Sequence, residues 1–105
     1  HLELGGKAPV IVFDDADLDR VVTGLRAFSF YNAGQDCTAA CRVYAQKGIH
    51  DRLVAELTQA AASIAYGQAD DTTNEIPPLI SLRQRDRVAS FVSRAAEQRH
   101  IEITT

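Results

Sequence analysis

The sequence predicts an α/β fold with a largely parallel sheet flanked by helices. A short apolar run rich in β-branched residues, 8–13, is typical of a buried strand. Helical apolar stripes and a second alternating segment follow it. Strands that alternate with helices along a chain favour parallel pairing, so the order of the segments carries the fold prediction.

The first helix is predicted to begin at Leu18. Asp14, Asp15 or Asp17 is expected to cap it, because a carboxylate accepts hydrogen bonds from the first unpaired N–H groups and suits the positive end of the helix dipole. Gly34 is the predicted stop. The apolar residues in between recur at the spacing of one helical face: Val21, Val22, Leu25 and Phe28.

The second half of the chain predicts one strand, two helices and a final strand. Residues 42–46 alternate as a strand, Lys47 and Gly48 are expected to turn the chain, and residues 53–64 have helical periodicity. The polar stretch 67–74 is a predicted surface loop and the one candidate domain boundary. The two prolines at 77 and 78 exclude a helix at those positions. A capping box at Ser81 and Gln84 predicts that a third helix begins after them, and residues 101–104 predict the last strand.

Composition excludes several classes of partner. The 105 residues fit one domain, and the net charge of −3 comes without a clustered basic face, so nucleic acid and anionic membranes are not expected partners. No apolar run reaches the roughly 18 residues of a membrane span. Two cysteines and three widely spaced histidines do not make a zinc site, so no metal is predicted, and reduced thiols suit a cytoplasmic protein.

The two ends suggest a segment of a longer protein. The chain opens without methionine in the middle of a pattern, and it closes on a strand-like stretch without a turn. Near the start, Gly5, Gly6 and Lys7 lack the remaining residues of a phosphate-binding loop, and the dinucleotide fingerprint G-x-G-x-x-G is absent. Glycine spacing therefore predicts a tight turn and no nucleotide site.

Cys37 and Glu3 each have two readings from chemistry alone. Cys37 lies in a polar, glycine-containing stretch between a helix and a strand, where it is either a small buried hydrophobe or a presented nucleophile. Glu3 lies between two leucines and is either a solvated carboxylate or a general base with a raised pKa. The residues themselves leave both alternatives open.

Two motifs resemble the signatures of the aldehyde dehydrogenase family. Residues 2–9, LELGGKAP, resemble its glutamate signature, and residues 30–37, FYNAGQDC, resemble its cysteine signature, at the separation that the family shows. The likeness continues over 42–44 and 78–81, so it covers essentially the whole chain. Residues 32–42 most resemble the aminobutyraldehyde dehydrogenases, with betaine aldehyde dehydrogenases as near relatives. Pro77 departs from the family's usual glycine.

The resemblance implies that residues 1–105 form the N-terminal part of the catalytic domain, without the cofactor-binding domain. It also implies a mechanism. Cys37 would attack the carbonyl carbon of a small aldehyde, such as 4-aminobutanal. The thiohemiacetal would pass hydride to NAD, with NADP not excluded, and Glu3 would activate the water that hydrolyses the thioester. The Cys37 N–H would supply one oxyanion donor.

The resemblance also implies cofactor contacts. Leu4 and Gly5 would line the nicotinamide pocket, and Gln84 and Arg87 would approach the cofactor ribose, although both also suit an exposed helix face. The isolated chain is expected to be inactive. The alternatives are a non-catalytic module that only folds or associates, and a thiol esterase. Open strand edges and apolar surface favour a homo-oligomer.

Overall fold

The computed structural model of the chain describes residues 1–2, 4–67 and 72–105. Its elements follow the predicted α/β order up to the third helix, and the α/β fold is confirmed. In chain order they are β1 (Ala8–Val12), α1 (Leu18–Ser29), a short 3₁₀ segment (Tyr31–Gly34), β2 (Ala40–Ala45), α2 (Lys47–Ala62) and α3 (Leu82–Ala96).

The predicted parallel pairing is confirmed between β1 and β2. Ala8 pairs with Ala40, but the next residue, Pro9, pairs with Arg42, so Cys41 is the extra residue of a bulge. A proline has no N–H to give to a ladder and is tolerated in a strand at such an irregularity. The bulge therefore accommodates Pro9 at the edge of the sheet where both strands begin.

The core lies on one side of this sheet, between β1, α1 and α2. The burial of β1 alternates, with Val12 buried and Ile11 66% exposed, so the predicted buried strand is covered on one face only. The reason is that α1 and α2 both pack on one face of the sheet. The buried cluster consists of Val12, Leu18, Leu25, Ile49 and Leu53.

Helix α1 begins as predicted but ends early. The Asp17 side chain accepts a hydrogen bond from the Arg20 N–H, which confirms a carboxylate cap. The helix ends at Ser29, five residues before the predicted stop at Gly34. Asn32 and Ala33 adopt left-handed backbone angles, φ 51° and 56°, which a right-handed helix cannot contain.

Helix α2 begins at Lys47, where a turn was predicted, so that prediction is wrong. Gly48 lies in its first turn, and a Cβ atom there would stand 2.8 Å from the Asp14 side chain. The glycine is needed for this close approach and not for a change of direction. The Gln46 side chain completes the junction by accepting a hydrogen bond from the Asp14 N–H at 2.8 Å.

Helix α3 is capped but not buried. Ser81 accepts a hydrogen bond from the Gln84 N–H at 3.2 Å, which confirms the predicted N-cap. The helix has no buried residue, and its apolar stripe of Val88, Phe91 and Val92 is largely open, with Phe91 57% and Val92 53% exposed. Packing against the described core therefore does not fix the position of α3.

The predicted final strand at 101–104 is wrong, because the described residues form no strand there. The Thr58 hydroxyl on α2 donates a hydrogen bond to the Thr104 hydroxyl at 3.0 Å. The segment thus lies beside a helix and not beside a free sheet edge, so it has no ladder to join. No helix in the described ranges is long and apolar enough to cross a membrane.

A bidentate ion pair ties α1 to the segment before α3. Arg26 Nη1 and Nη2 donate to Glu75 Oε2 and Oε1 at 2.7 and 2.9 Å. Arg26 Nε also donates to the carbonyl oxygen of Ala60 and to the Ser63 hydroxyl at the end of α2. Glu75 Oε1 in turn accepts the Ala65 N–H at 2.8 Å. Arg26 and Glu75 thus join three separate parts of the chain.

These hydrogen bonds stabilise the ionised form of Glu75. The Arg26 hydrogen bond, followed by that from the Ala65 N–H, lowers the pKa of Glu75 from 4.5 to about 2. A carboxyl group whose pKa is lower in the folded chain contributes stability above its unfolded pKa. That contribution is lost as the pH falls towards the folded value.

We expect Leu53→Ala to lower the free energy of unfolding by about 2–5 kcal/mol, because it removes buried methyl groups and leaves a cavity. Val54→Ala on the same helix is the matched control, since Val54 is 39% exposed, and it should cost about 0.5 kcal/mol or less. Chemical denaturation followed by circular dichroism measures both. Equal losses would contradict the placement of Leu53 in the core.

We expect Glu75→Gln to lower stability at neutral pH and to flatten the acid side of the stability profile. The wild type should lose stability between pH 4.5 and about 2 as Glu75 takes up a proton, whereas the variant should lose less over that interval. Unfolding free energies measured across this pH range test the difference. Glu97→Gln, at an exposed position after α3, serves as the control for lost charge. Parallel profiles for wild type and Glu75→Gln would refute the assignment.

Candidate active site

Cys37 lies at the exposed tip of the connection between α1 and β2. The Ala39 N–H donates to the carbonyl oxygen of Asp36 at 3.2 Å, which closes a tight turn over Cys37 and Thr38. Ala39 itself is 5% exposed and anchors the end of the turn in the protein. The cysteine is therefore presented to solvent by a loop that is held on its C-terminal side.

The Asp36 side chain fixes the conformation of this turn. Its Oδ1 accepts hydrogen bonds from the Thr38 N–H at 2.9 Å and from the Thr38 hydroxyl at 2.8 Å. These bonds, the N–H first, lower the pKa of Asp36. The carboxylate is thus turned to Thr38, and its charge is partly satisfied there although it neighbours the thiol in sequence.

The N-terminal side of the loop holds consecutive left-handed residues. Asn32, Ala33 and Gly34 have φ of 51°, 56° and 75°. Glycine and asparagine accept this conformation, but for alanine it costs about 1 kcal/mol. At the base, the Ser29 hydroxyl donates to the carbonyl oxygen of Ala40 at 2.6 Å and joins the end of α1 to the start of β2.

The Cys37 N–H makes no hydrogen bond to any other residue in the described ranges. In an exposed turn such a donor is available to an incoming acceptor. A donor next to a nucleophilic sulfur lies close to the oxygen that gains charge when the sulfur attacks a carbonyl carbon. The turn therefore combines a thiol with an available N–H in one residue.

The register of the sheet brings the start of the chain to the same edge as Cys37. Gly5 precedes β1 by as many residues as Cys37 precedes β2, and the first residues of the two strands are paired. The Cys41 sulfur lies 4.0 Å from the carbonyl oxygen of Ala8, which shows how closely the strands approach there. Leu4 is 85% exposed, and Gly5 is exposed with a φ of 68°. Glu3 lies outside the described residues.

The predicted ribose contacts are on α3. Gln84 is half-buried in its first turn, and Arg87 lies one turn later and is exposed. Neither makes a described contact with the Cys37 turn. Their roles stay predictions, as do those of Leu4 and Gly5.

Sequence reasoning assigned no role to Gln35, although it lies within the cysteine motif. Its Oε1 accepts the Ile80 N–H at 2.9 Å, and its Nε2 donates to the carbonyl oxygen of Asn32 at 3.0 Å. A glutamine two residues before a candidate nucleophile was the available signal, but its distant partner was not readable from spacing.

A cavity of about 620 Å³ lies beside this connection and does not include Cys37. Ala33 lines it on one side, and the segment from Asn74 to Leu79 lines it on another, with Tyr66 and Gly67. The thiol itself faces open solvent in the described chain. The described residues therefore do not enclose a substrate around Cys37.

Comparison with known proteins gives the family. The family model described as "Aldehyde dehydrogenase family" matches residues 1–104. The chain is 44% identical over 94 residues to betaine aldehyde dehydrogenase 2 of Rhizobium meliloti (strain 1021), covering 90% of the chain and 20% of that protein. It is 45% identical over 97 residues to the succinate-semialdehyde dehydrogenase (NADP+) GabD of Escherichia coli (strain K12), covering 92% and 20%.

Solved structures agree in fold. The betaine aldehyde dehydrogenase of Staphylococcus aureus, whose crystal structure is in complex with NAD+, superposes with a TM-score of 0.83 at 35% identity, covering 90% of this chain and 19% of that one. The chain spans about a fifth of the length of the curated relatives that it matches. With a family model over nearly every residue, the resemblance of the two motifs is confirmed, and the chain belongs to the aldehyde dehydrogenase family.

Proposed function

We propose that this chain supplies the nucleophile of an aldehyde oxidation that uses a nicotinamide cofactor. The Cys37 thiolate adds to the aldehyde carbon, and the new C–S bond gives a thiohemiacetal whose oxygen carries the charge. Loss of hydride from that carbon leaves a thioester on Cys37. Water then attacks the thioester carbon, the C–S bond breaks, and the carboxylate product and the thiol are released.

The single observation that carries this proposal is the geometry of the Cys37 turn. The thiol is exposed, the turn is held by Asp36 and Ala39, and the Cys37 N–H makes no other described hydrogen bond. That N–H is suited to stabilise the thiohemiacetal oxygen, because a preorganised donor does not have to be recruited in the transition state.

Glu3 is our candidate for the general base that activates the water. The support is topological, since β1 and β2 begin at the same sheet edge and Glu3 precedes β1 in the sequence. The matching glutamate motif over residues 2–9 adds to this. A carboxylate at that edge would remove a proton from the water as it attacks the Cys37 thioester.

The cofactor would supply the hydride acceptor, and four residues are our candidates for its contacts. Exposed Leu4 and Gly5 precede the sheet edge at which Cys37 lies, and a glycine with positive φ and no neighbour around its Cβ position leaves room for close approach. Gln84 and Arg87 are three residues apart on one face of α3. The relatives' names include both NAD+ and NADP+, so we propose a nicotinamide cofactor of either kind.

An aminoaldehyde such as 4-aminobutanal is our proposed substrate. The support is the likeness of residues 32–42 to aminobutyraldehyde dehydrogenases, together with the betaine aldehyde dehydrogenase among the similar proteins. A succinate-semialdehyde dehydrogenase matches with similar identity, so the aminoaldehyde proposal rests on the likeness of residues 32–42.

The chain alone is proposed to form the covalent bond between Cys37 and a carbonyl carbon without completing the oxidation. It spans a fifth of its relatives, and in the described chain Cys37 faces open solvent. Oxidation needs a water-excluding site around the reacting carbon, which an exposed turn does not provide. The competing functions are a thiol esterase and a module without catalysis.

We expect an activated ester such as p-nitrophenyl acetate to acylate the chain once, at Cys37. The release of p-nitrophenolate should approach one equivalent per chain and then stop, because the described residues do not enclose the acyl group on Cys37. Cys37→Ala should abolish this release, whereas Cys41→Ala, four residues away, should retain it. Absorbance and the mass of the intact protein record both quantities.

Three results would contradict this proposal. Release that survives in Cys37→Ala would remove Cys37 as the nucleophile. Continued release over many turnovers would favour the thiol esterase. Sustained formation of NADH from NAD and aldehyde would show that the isolated chain is a complete enzyme.

We also propose that the chain associates with copies of itself through its open sheet face. Ile11, Phe13 and Tyr44 are more than half exposed, and Ile11 and Tyr44 are register partners on neighbouring strands. Contiguous apolar surface of this kind favours association in water. Light scattering should give a mass above 11.5 kDa, and Ile11→Glu should lower it.

The matched control for association is Ala55→Glu, on the exposed side of α2. It adds the same charge away from the sheet and should leave the mass unchanged. A monomeric wild-type chain would refute the proposal, and so would equal effects of the two substitutions.

A further inference from the structure

The Gln35 side chain spans from the Cys37 loop to the segment that begins α3. Oε1 accepts the Ile80 N–H at 2.9 Å, while Nε2 donates to the carbonyl oxygens of Asn32 at 3.0 Å and Pro78 at 3.4 Å. Ile80 immediately precedes the cap residue Ser81. One amide therefore contacts both the left-handed loop and the start of the helix.

Only a group with a donor and an acceptor satisfies this arrangement. The Ile80 N–H requires an acceptor, and the two carbonyl oxygens require a donor, so an amide fits and a carboxylate does not. A carboxylate would place a second negative oxygen against both carbonyls. Ile80 is itself 84% exposed, and the described hydrogen bond of its N–H is the one to Gln35.

The position of α3 depends on such polar contacts because α3 has no fully buried residue in the core. The segment before it is held at one end by the Arg26–Glu75 pair and at the other by Gln35. The second anchor reaches directly into the loop of the candidate nucleophile. Loss of this anchor would leave the start of α3 without a described hydrogen bond to that loop.

We propose that Gln35 is a positioning residue that holds the start of α3 in register with the Cys37 turn. This inference rests on the proposed function, in which Cys37 is the nucleophile and α3 carries cofactor contacts. Gln35 does not touch the reacting atoms. It sets the separation between the two elements that must act on the same substrate carbon and cofactor.

The test measures that separation directly. Nitroxide labels on Cys37 and on Ser93→Cys, an exposed position of α3, report a distance distribution by pulsed electron resonance when Cys41 is replaced by alanine. The parent protein should give one narrow peak at about pH 8 and at about pH 4. Gln35→Glu should lose that peak at about pH 8 and regain it at about pH 4, where a protonated glutamic acid again has a donor and an acceptor.

The anchor at Glu75 stays intact in this comparison. The pKa of Glu75 is about 2, so its pair with Arg26 remains ionised at the lower pH. Gln59→Glu on α2 is the matched control, because the exposed Gln59 side chain makes no hydrogen bond to a described residue. It should keep the narrow peak at both pH values, and circular dichroism should show equal helix content in all variants.

Several outcomes would overturn the proposal. A narrow peak in Gln35→Glu at about pH 8, a broad one that persists at about pH 4 in the folded variant, or a broad distribution in the parent protein would each do so. Amide hydrogen exchange of the wild type gives an independent check, since fast exchange at the exposed Ile80 would exclude the hydrogen bond. The ester assay on Cys37 decides the proposed function separately, because the label distances do not depend on nucleophilicity.

Discussion

The parallel pairing of β1 and β2 is the constraint on which the rest of the structure depends. Parallel strands begin at the same sheet edge, so the segment before each strand is delivered to one place. In this chain those segments carry Gly5 and Cys37 at equal distances from their strands. Helices α1 and α2 cover one face of the sheet and form the core, in which both pack against Val12. If the two strands were antiparallel, the two motifs would lie at opposite ends of the strands.

Polar contacts fix the positions of the segments that the small core does not hold in place. The pair of Arg26 and Glu75 joins α1, the end of α2 and the segment before α3, and the Gln35 amide joins that segment to the Cys37 loop. Hydrogen bonds are directional, so they fix relative positions that apolar packing leaves open. The same chain leaves a sheet face and the α3 stripe exposed. The curated relatives are about five times as long as this chain.

Features with local causes could be predicted from the sequence. The caps at Asp17 and Ser81 follow from side chains that bond their own neighbours, and β1 follows from a β-branched run. Predictions failed where the local conformation depends on a residue that is distant in the sequence. Gly48 was taken for a turn, although the Asp14 side chain is what requires it. The alternating residues 101–104 had no strand to pair with, and the left-handed Asn32 and Ala33, which lie beyond the end of α1 at Ser29, carry no strong signature.

The candidate site likewise has features that could be predicted from the sequence and features that are visible only in the fold. Cys37 was predictable because its motif is local, whereas the partner of Gln35 lies 45 residues away and is visible only in the fold. Asp36 bonds Thr38 two residues on, yet its effect on the turn became evident only from the hydrogen bonds. The candidate nucleophile is thus identified by a local motif, and its placement follows from long-range contacts.

Competition between the two exposed thiols tests most directly whether the fold makes Cys37 the nucleophile. The Cys41 thiol points to the carbonyl oxygen of Ala8 in the bulge, whereas Cys37 stands on an open turn with an available N–H. Limiting iodoacetamide followed by peptide mapping should find Cys37 alkylated first, because Cys37 stands on an open turn whereas the Cys41 thiol is directed at the Ala8 carbonyl oxygen. Alkylation of Cys41 at the same rate or faster would contradict the account.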